Sequence, residues 1–224
     1  MTNTPLLDGP RLLPDGDARP DRLVVLLHGI GADGNDLIGL APLLRAVLSR
    51  AAFVAPNAPY PYDLAPFGYM WFSLQDFHPL TRWEGVRAAQ PALEAFLAAE
   101  LARHGLSPEA LVLIGFSQGA MMALHVGLRA AVAPAAIVSH SGILVGAEHL
   151  AEEIRARPPV LLTHGADDDV LPAAALPMAE LALKAVHVPV EAHVLPNLGH
   201  GIDEATLRLA LRFLACHLAG KASA

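Results

Sequence analysis

Short apolar runs alternate with longer amphipathic stretches along most of the chain. Several of the runs are continuous rather than alternating, which is typical of strands that are buried on both faces. We therefore predict strands at residues 23–27, 53–55, 111–114, 136–139, 160–163 and 190–195. The stretches between them predict helices at residues 36–50, 84–104, 118–131, 147–155, 173–186 and 203–218. This order predicts an α/β fold with a mostly parallel central sheet and helices on both faces.

The chain divides unequally into a short arm and one domain. Residues 1–20 are rich in Pro, Gly and Asp and predict an N-terminal arm with a possible edge strand, while residues 21–224 predict a single domain. Residues 56–79 match neither the helical nor the strand period and are too long for an ordinary connection. This segment is expected to line or cover a site.

Composition narrows the class of protein. Of 224 residues, 54% are hydrophobic and 17% are charged, as in globular proteins with a large core, and the net charge of −7 disfavours nucleic acid as a partner. Cys216 is the only cysteine, so no intramolecular disulfide forms and a cytoplasmic location is expected. Neither an export signal nor an apolar span is recognisable, which predicts no stable membrane insertion.

A Gly-Phe-Ser-Gln-Gly pattern at residues 115–119 lies between a predicted strand and a predicted helix. This is the context that a nucleophile elbow requires, because the sharp turn exposes the serine hydroxyl and needs glycine on either side. The alternative is an incidental glycine-rich turn. The flanking strand and helix favour the elbow, with Ser117 as nucleophile and the Gln118 N–H as one donor to an oxyanion.

A second glycine-containing loop, residues 28–31, follows the strand predicted at residues 23–27. Its geometry predicts that the Ile30 N–H supplies the other oxyanion donor. His28 lies at the end of the buried strand. We expect it to hold the loop through hydrogen bonds to the backbone rather than to act as the base.

Candidate acids and a base follow two later strands. Asp167, Asp168 and Asp169 come after the strand at 160–163, and all three are candidates for the acid. Consecutive carboxylates can also form a solvated turn or a cation site, but no nearby His or Glu completes a ligand set, so no metal is expected. His200 lies in a Gly-His-Gly loop after the last strand and is the predicted base. The order Ser, Asp, His is that of the α/β-hydrolases.

The chain resembles the phospholipase/carboxylesterase family, which includes bacterial carboxylesterases and acyl-protein thioesterases. The resemblance rests on residues 27–36, 56–59, 71–72, 115–119, 164–168 and 199–200. It implies an α/β-hydrolase fold without a large lid domain, and it selects Asp168 through the pattern His-Gly-x-x-Asp that starts at His164. It also implies that Ile30 and Gln118 form the oxyanion hole, that Trp71 borders the acyl site and that homodimers are common. Asp169 and Ala120 depart from the proline and glycine of many members.

The expected function is hydrolysis of short- to medium-chain acyl esters through an acyl-enzyme, without a cofactor. Thioester and lysophospholipid cleavage are related variants. A non-catalytic scaffold that acts as a binding module is the alternative, and a peptidase or a dienelactone hydrolase is a third interpretation. Six apolar residues near one edge of the sheet are predicted to line an acyl groove, with ordinary core as the competing interpretation: Trp71, Phe72, Ile143, Leu144, Leu171 and Leu198.

Overall fold

A seven-stranded sheet dominates the computed structural model, which describes residues 5–16, 18–74, 76 and 78–218. The strand order is β1-β3-β2-β6-β7-β8-β9, and every neighbouring pair is parallel except the antiparallel β1 and β3. Strands β4 and β5 form a separate antiparallel hairpin. The bounds are β1 Arg11–Leu12, β2 Arg22–Leu27, β3 Ala51–Val54, β4 Tyr60–Pro61, β5 Tyr69–Met70, β6 Leu111–Phe116, β7 Ala136–His140, β8 Val160–Gly165 and β9 Val190–Leu195.

Helices cover both faces of this sheet. They are α1 Gly34–Ile38, α2 Ala41–Leu44, α3 Pro79–His104, α4 Gln118–Arg129, α5 Leu150–Glu153, α6 Ala175–Ala185 and α7 Glu204–Leu218, with single 3₁₀ turns at Pro108–Ala110 and Ala147–His149. Alternate residues of β2 point into two separate apolar clusters, one packed against α3, α4 and α6 and the other against α1, α2 and α7. The predicted α/β architecture, with a mostly parallel sheet between two helical layers, is confirmed.

Three predicted helices differ from the structure. The helix predicted at 36–50 is broken into α1 and α2, because Pro42 has no N–H to donate to the Ile38 carbonyl. Helix α3 begins five residues before the predicted position 84, with Pro79 at its first turn, where a missing N–H costs nothing. The helix predicted at 147–155 is one 3₁₀ turn followed by α5. Beyond it the Arg155 and Ala156 N–H groups donate to the Leu128 carbonyl instead.

The other predicted boundaries lie within two residues of the observed ones. Residues 11–12 of the predicted arm pair with β3 as an edge strand. The Arg11 guanidinium fastens this strand to α3 through hydrogen bonds of 3.1 and 2.9 Å to the buried carboxylate of Glu100. Residues 1–4 and 17 of the arm, and residues 219–224 of the predicted domain, lie outside the described residues.

The parallel direction of the strands brings four loops to one edge of the sheet. The loops after β2, β6, β8 and β9 all start at carboxyl ends, and they carry Ile30, Ser117, Asp168 and His200. Ligands of open α/β sheets bind at this edge. In the described part of the chain, no helix is long and apolar enough to cross a bilayer.

Candidate active site

The turn from β6 to α4 holds Ser117 in a strained backbone conformation, with φ 53° and ψ −118°. Its N–H donates to the His140 carbonyl at 2.9 Å, which ties the turn to β7. A Cβ at Gly119 would lie 2.0 Å from the Leu27 carbonyl oxygen, and one at Gly115 would lie 2.4 Å from the Gly119 carbonyl oxygen. Both glycines are therefore required by close backbone approach, as expected of a nucleophile elbow.

Asp168 and His200 are joined by a hydrogen bond. His200 Nδ1 lies 2.8 Å from Asp168 Oδ2, and the other carboxylate oxygen accepts from the N–H groups of Val170 at 2.9 Å and Leu171 at 2.8 Å. The Asp168 side chain is fully buried. Because a carboxylate only accepts, His200 carries its proton on Nδ1 and leaves Nε2 free to accept another.

These hydrogen bonds keep Asp168 charged. Burial alone would raise its pKa, but the Leu171 N–H, the His200 ring and the Val170 N–H outweigh burial, so the pKa of Asp168 lies below its ordinary value. His164 adds a fixed polar neighbour, since its Nε2 lies 3.0 Å from Asp168 Oδ2 and 3.1 Å from the Leu171 carbonyl oxygen. The Asp168 carboxylate is thus held by its own loop and by two histidine rings.

No direct hydrogen bond joins Ser117 to His200 in the described part of the chain. The Phe116 ring, next to the serine, lies 4.9 Å from the His200 ring between centroids. Bonds between nucleophile and base are often long in unliganded enzymes and shorten when substrate binds. His140 also lies beside the turn, but burial lowers its pKa to about 4 and its Nδ1 faces Thr163 Oγ1 at 2.7 Å.

The loop after β2 packs directly on the elbow. A Cβ at Gly29 would lie 3.3 Å from the Ser117 Cβ, and the Gly31 N–H donates to the Tyr69 carbonyl at 2.8 Å. The Ala32 N–H donates to the Gly29 carbonyl at 3.3 Å, whereas the Ile30 N–H has no backbone acceptor among the described residues. The Gln118 N–H opens α4, where the first N–H groups have no partner within the helix.

His28 has the structural role expected from the sequence, which is confirmed by two hydrogen bonds. Its Nε2 accepts from the Ala58 N–H at 3.0 Å, so the ring proton is on Nδ1, which donates to the Gly29 carbonyl at 2.7 Å. Burial lowers the pKa of His28, which keeps the ring neutral in this arrangement. The ring thereby connects the loop after β2 to the segment after β3.

The Gln118 side chain has a role that sequence reasoning missed. It is fully buried, accepts from the Trp71 N–H at 2.8 Å and donates to the Phe72 carbonyl at 2.6 Å. The same residue that offers its backbone N–H at the elbow therefore fastens residues 71–72 to it. The only signal in the sequence was a polar residue in a buried turn, where it needs partners.

Replacing Gln118 by methionine, which has similar length but no amide, is expected to lower the free energy of unfolding by about 2–6 kcal/mol. Two buried backbone groups, the Trp71 N–H and the Phe72 carbonyl, would lose their partners at a cost of about 1–3 kcal/mol each. Urea unfolding followed by circular dichroism measures the change. Unchanged stability would mean that the two backbone groups find other partners easily.

The six residues predicted to line an acyl groove fall into two groups. The side chains of Trp71, Phe72, Leu144 and Leu171 are at most 6% exposed and belong to the apolar core. Trp71 is further fixed by its indole N–H, which donates to the His28 carbonyl at 3.0 Å. Their burial favours the competing interpretation of ordinary core, while Ile143 and Leu198 are partly exposed.

Asn57 supports the site in a way that was not anticipated. Its Oδ1 accepts from the Gly34 N–H at 2.8 Å, at the start of α1, so it connects the end of the loop after β2 to the segment after β3. The Pro-Asn-Ala-Pro motif at 56–59 is part of the family resemblance, but the sequence predicted no role for Asn57.

Among the described residues, no cluster of three His, Cys, Asp or Glu side chains is arranged to hold a metal ion.

The fold, the strained elbow and the Asp168–His200 contact at the carboxyl edge define an α/β-hydrolase. A family model described as phospholipase/carboxylesterase matches residues 14–218. The chain belongs to this family, and it is a hydrolase of the esterase and thioesterase class.

Individual relatives agree with this assignment. Esterase YpfH of Escherichia coli is 28% identical over 90% of this chain and 84% of its own length. Acyl-protein thioesterase 1 of Gibberella zeae is 26% identical over 79% of this chain and 82% of its own length. The crystal structure of esterase PE8 superposes with a TM-score of 0.91 at 43% identity, covering 95% of this chain and 99% of that chain.

Proposed function

We propose that this protein hydrolyses short- to medium-chain carboxylic esters through an acyl-enzyme on Ser117. Asp168 and His200 serve as acid and base, and the N–H groups of Ile30 and Gln118 stabilise the oxyanion. The observation that carries the proposal is the 2.8 Å hydrogen bond from His200 Nδ1 to a buried carboxylate at the same edge of the sheet as the elbow. It fixes the tautomer that a general base requires.

The reaction proceeds in two halves. His200 Nε2 takes the proton from Ser117 Oγ, which attacks the ester carbonyl, while Asp168 stabilises the imidazolium. The oxyanion lies at the start of α4, where the helix dipole and the two N–H groups favour negative charge. His200 then protonates the leaving oxygen, and a water activated by the same histidine releases the acid.

The first experiment is a series of p-nitrophenyl esters of increasing acyl length. We expect a maximum of kcat/KM at short or medium chains, because a lipase that cleaves long chains is expected to have a longer apolar lid than the segment at 56–79. Palmitoyl thioesters of a peptide serve as the comparison. Preferential cleavage of the long thioester would replace the ester proposal by a thioesterase, and no turnover of either would favour the binding-module alternative.

Two further expectations belong to the proposal. We place the protein in the cytoplasm, because its single cysteine is exposed and free, as suits a reducing compartment. We also expect a homodimer, by analogy with the family. Size-exclusion chromatography with light scattering measures the oligomeric state directly.

A further inference from the structure

A cavity of about 320 Å³ lies beside His200 and is separate from the buried residues once predicted to line an acyl groove. Its size is within the range of small-molecule sites. Most of its wall is formed by apolar side chains. They come from α1 and the residues just after it, from the end of β6 and from the loop before α7. The lining residues are Asp36, Leu37, Leu40, Phe116, His200, Gly201 and Ile202.

The walls of this cavity are open apolar surface rather than filled core. Leu40, Phe116 and Ile202 are each only partly buried, although all three pack against the apolar cluster on the α1, α2 and α7 side of the sheet. The Phe116 ring also supports the His200 ring, at 4.9 Å between centroids. A ligand in the cavity would therefore contact apolar side chains and the proposed base together.

The position of His200 indicates which half of an ester fits here. His200 has to deliver a proton to the leaving oxygen, so the leaving group must lie next to its ring. Ser117, Ile30 and Gln118, which are proposed to hold the carbonyl carbon and the oxyanion, are not among the lining residues. We propose that this cavity is the subsite for the leaving alcohol, an inference that rests on the proposed function of the triad.

The charge of the cavity restricts that alcohol further. Asp36 is exposed and is the only carboxylate of the lining, which holds no Lys or Arg. The subsite therefore accepts alcohols with a compact apolar body that are neutral or cationic, and it disfavours anionic leaving groups by about fivefold, as expected for one partly screened unit charge.

The test uses four butyrate esters that differ only in their alcohol, which is methanol, benzyl alcohol, choline or 4-(hydroxymethyl)benzoate. Hydrolysis is followed by pH-stat titration. Leu40→Trp fills the cavity, and Leu43→Trp is the matched control because Leu43 is 52% exposed and does not line it. We expect Leu40→Trp to lower kcat/KM about tenfold for benzyl butyrate, mainly through KM, and to leave methyl butyrate within about twofold. The Leu43→Trp protein should match the wild type on all four esters.

The Asp36→Asn substitution tests the expected effect of the charge of the alcohol on its binding to this cavity. It is expected to raise kcat/KM for the anionic benzoate ester about fivefold relative to benzyl butyrate and to lower the value for butyrylcholine. The subsite assignment would be overturned if Leu40→Trp slowed all four esters equally, or if it shifted the preferred acyl length instead. Failure of the proposed function looks different, because the wild type would then not cleave even methyl butyrate in a manner that depends on Ser117.

Discussion

Replacement of Ser117 by alanine is expected to lower kcat about 10⁴- to 10⁶-fold and to leave the fold intact. The serine hydroxyl is the only group at the elbow that can form the acyl-enzyme, and its removal deletes one oxygen. The backbone constraint comes from Gly115, Gly119 and the bond to the His140 carbonyl, which alanine does not disturb. Hydrolysis of p-nitrophenyl butyrate and labelling by a fluorophosphonate probe measure the effect.

Ser139→Ala is the matched control for this experiment. Ser139 is a buried serine on β7, paired with Gly115 of β6, so the substitution is next to the elbow and chemically the same. We expect Ser139→Ala to keep activity within a few-fold and to retain the fluorophosphonate label. Wild-type turnover by the Ser117→Ala protein would refute the assignment of the nucleophile.

Replacement of Asp168 by asparagine is expected to lower kcat about 10³- to 10⁴-fold. The N–H groups of Val170 and Leu171 both donate to Oδ1, so the amide oxygen of asparagine must occupy that position. The amide NH₂ then faces His200 Nδ1 and donates to it, which moves the ring proton to Nε2. In that tautomer His200 cannot accept the proton of Ser117.

Asp167→Asn and Asp169→Asn provide the comparison, because both side chains belong to exposed residues of the same loop. Each is expected to reduce kcat by no more than about twofold, since surface substitutions rarely have larger effects. Steady-state kinetics on p-nitrophenyl butyrate, with a thermal melt of each variant, separates catalysis from folding. Equal losses in all three variants would mean that the carboxylate at 168 has no special role.

The sheet was predictable because its strands are buried on both faces. Strand β2 is buried along its whole length, and such a run of Leu and Val admits few alternatives to a central parallel strand. The predicted location of Ser117 and His200 in loops at one edge followed from the direction of the strands alone. The break between α1 and α2 was less predictable, because the apolar residues on both sides of Pro42 follow a helical period.

Some features of the site depend on contacts that local sequence does not encode. The sequence pattern alone left three aspartates open, and only the fold brings Asp168 to His200 across 32 positions. Trp71 and Phe72 are apolar in either interpretation, so their residue types do not distinguish groove from core. The Gln118 side chain that holds their backbone groups is 47 and 46 positions away. The two-residue strands β4 and β5 are too short to show a period of two.

The hairpin formed by β4 and β5 is bonded to the loop that carries Ile30. Tyr69 accepts from the Gly31 N–H and donates to the Ala32 carbonyl, each at 2.8 Å, and a Cβ at Gly68 would overlap the Gly31 carbonyl oxygen. Movement of the hairpin away from this loop would therefore break both bonds. Such a movement would also shift the loop that carries the Ile30 N–H, which we propose as an oxyanion donor, so that the position of the hairpin and the rate of hydrolysis would be coupled.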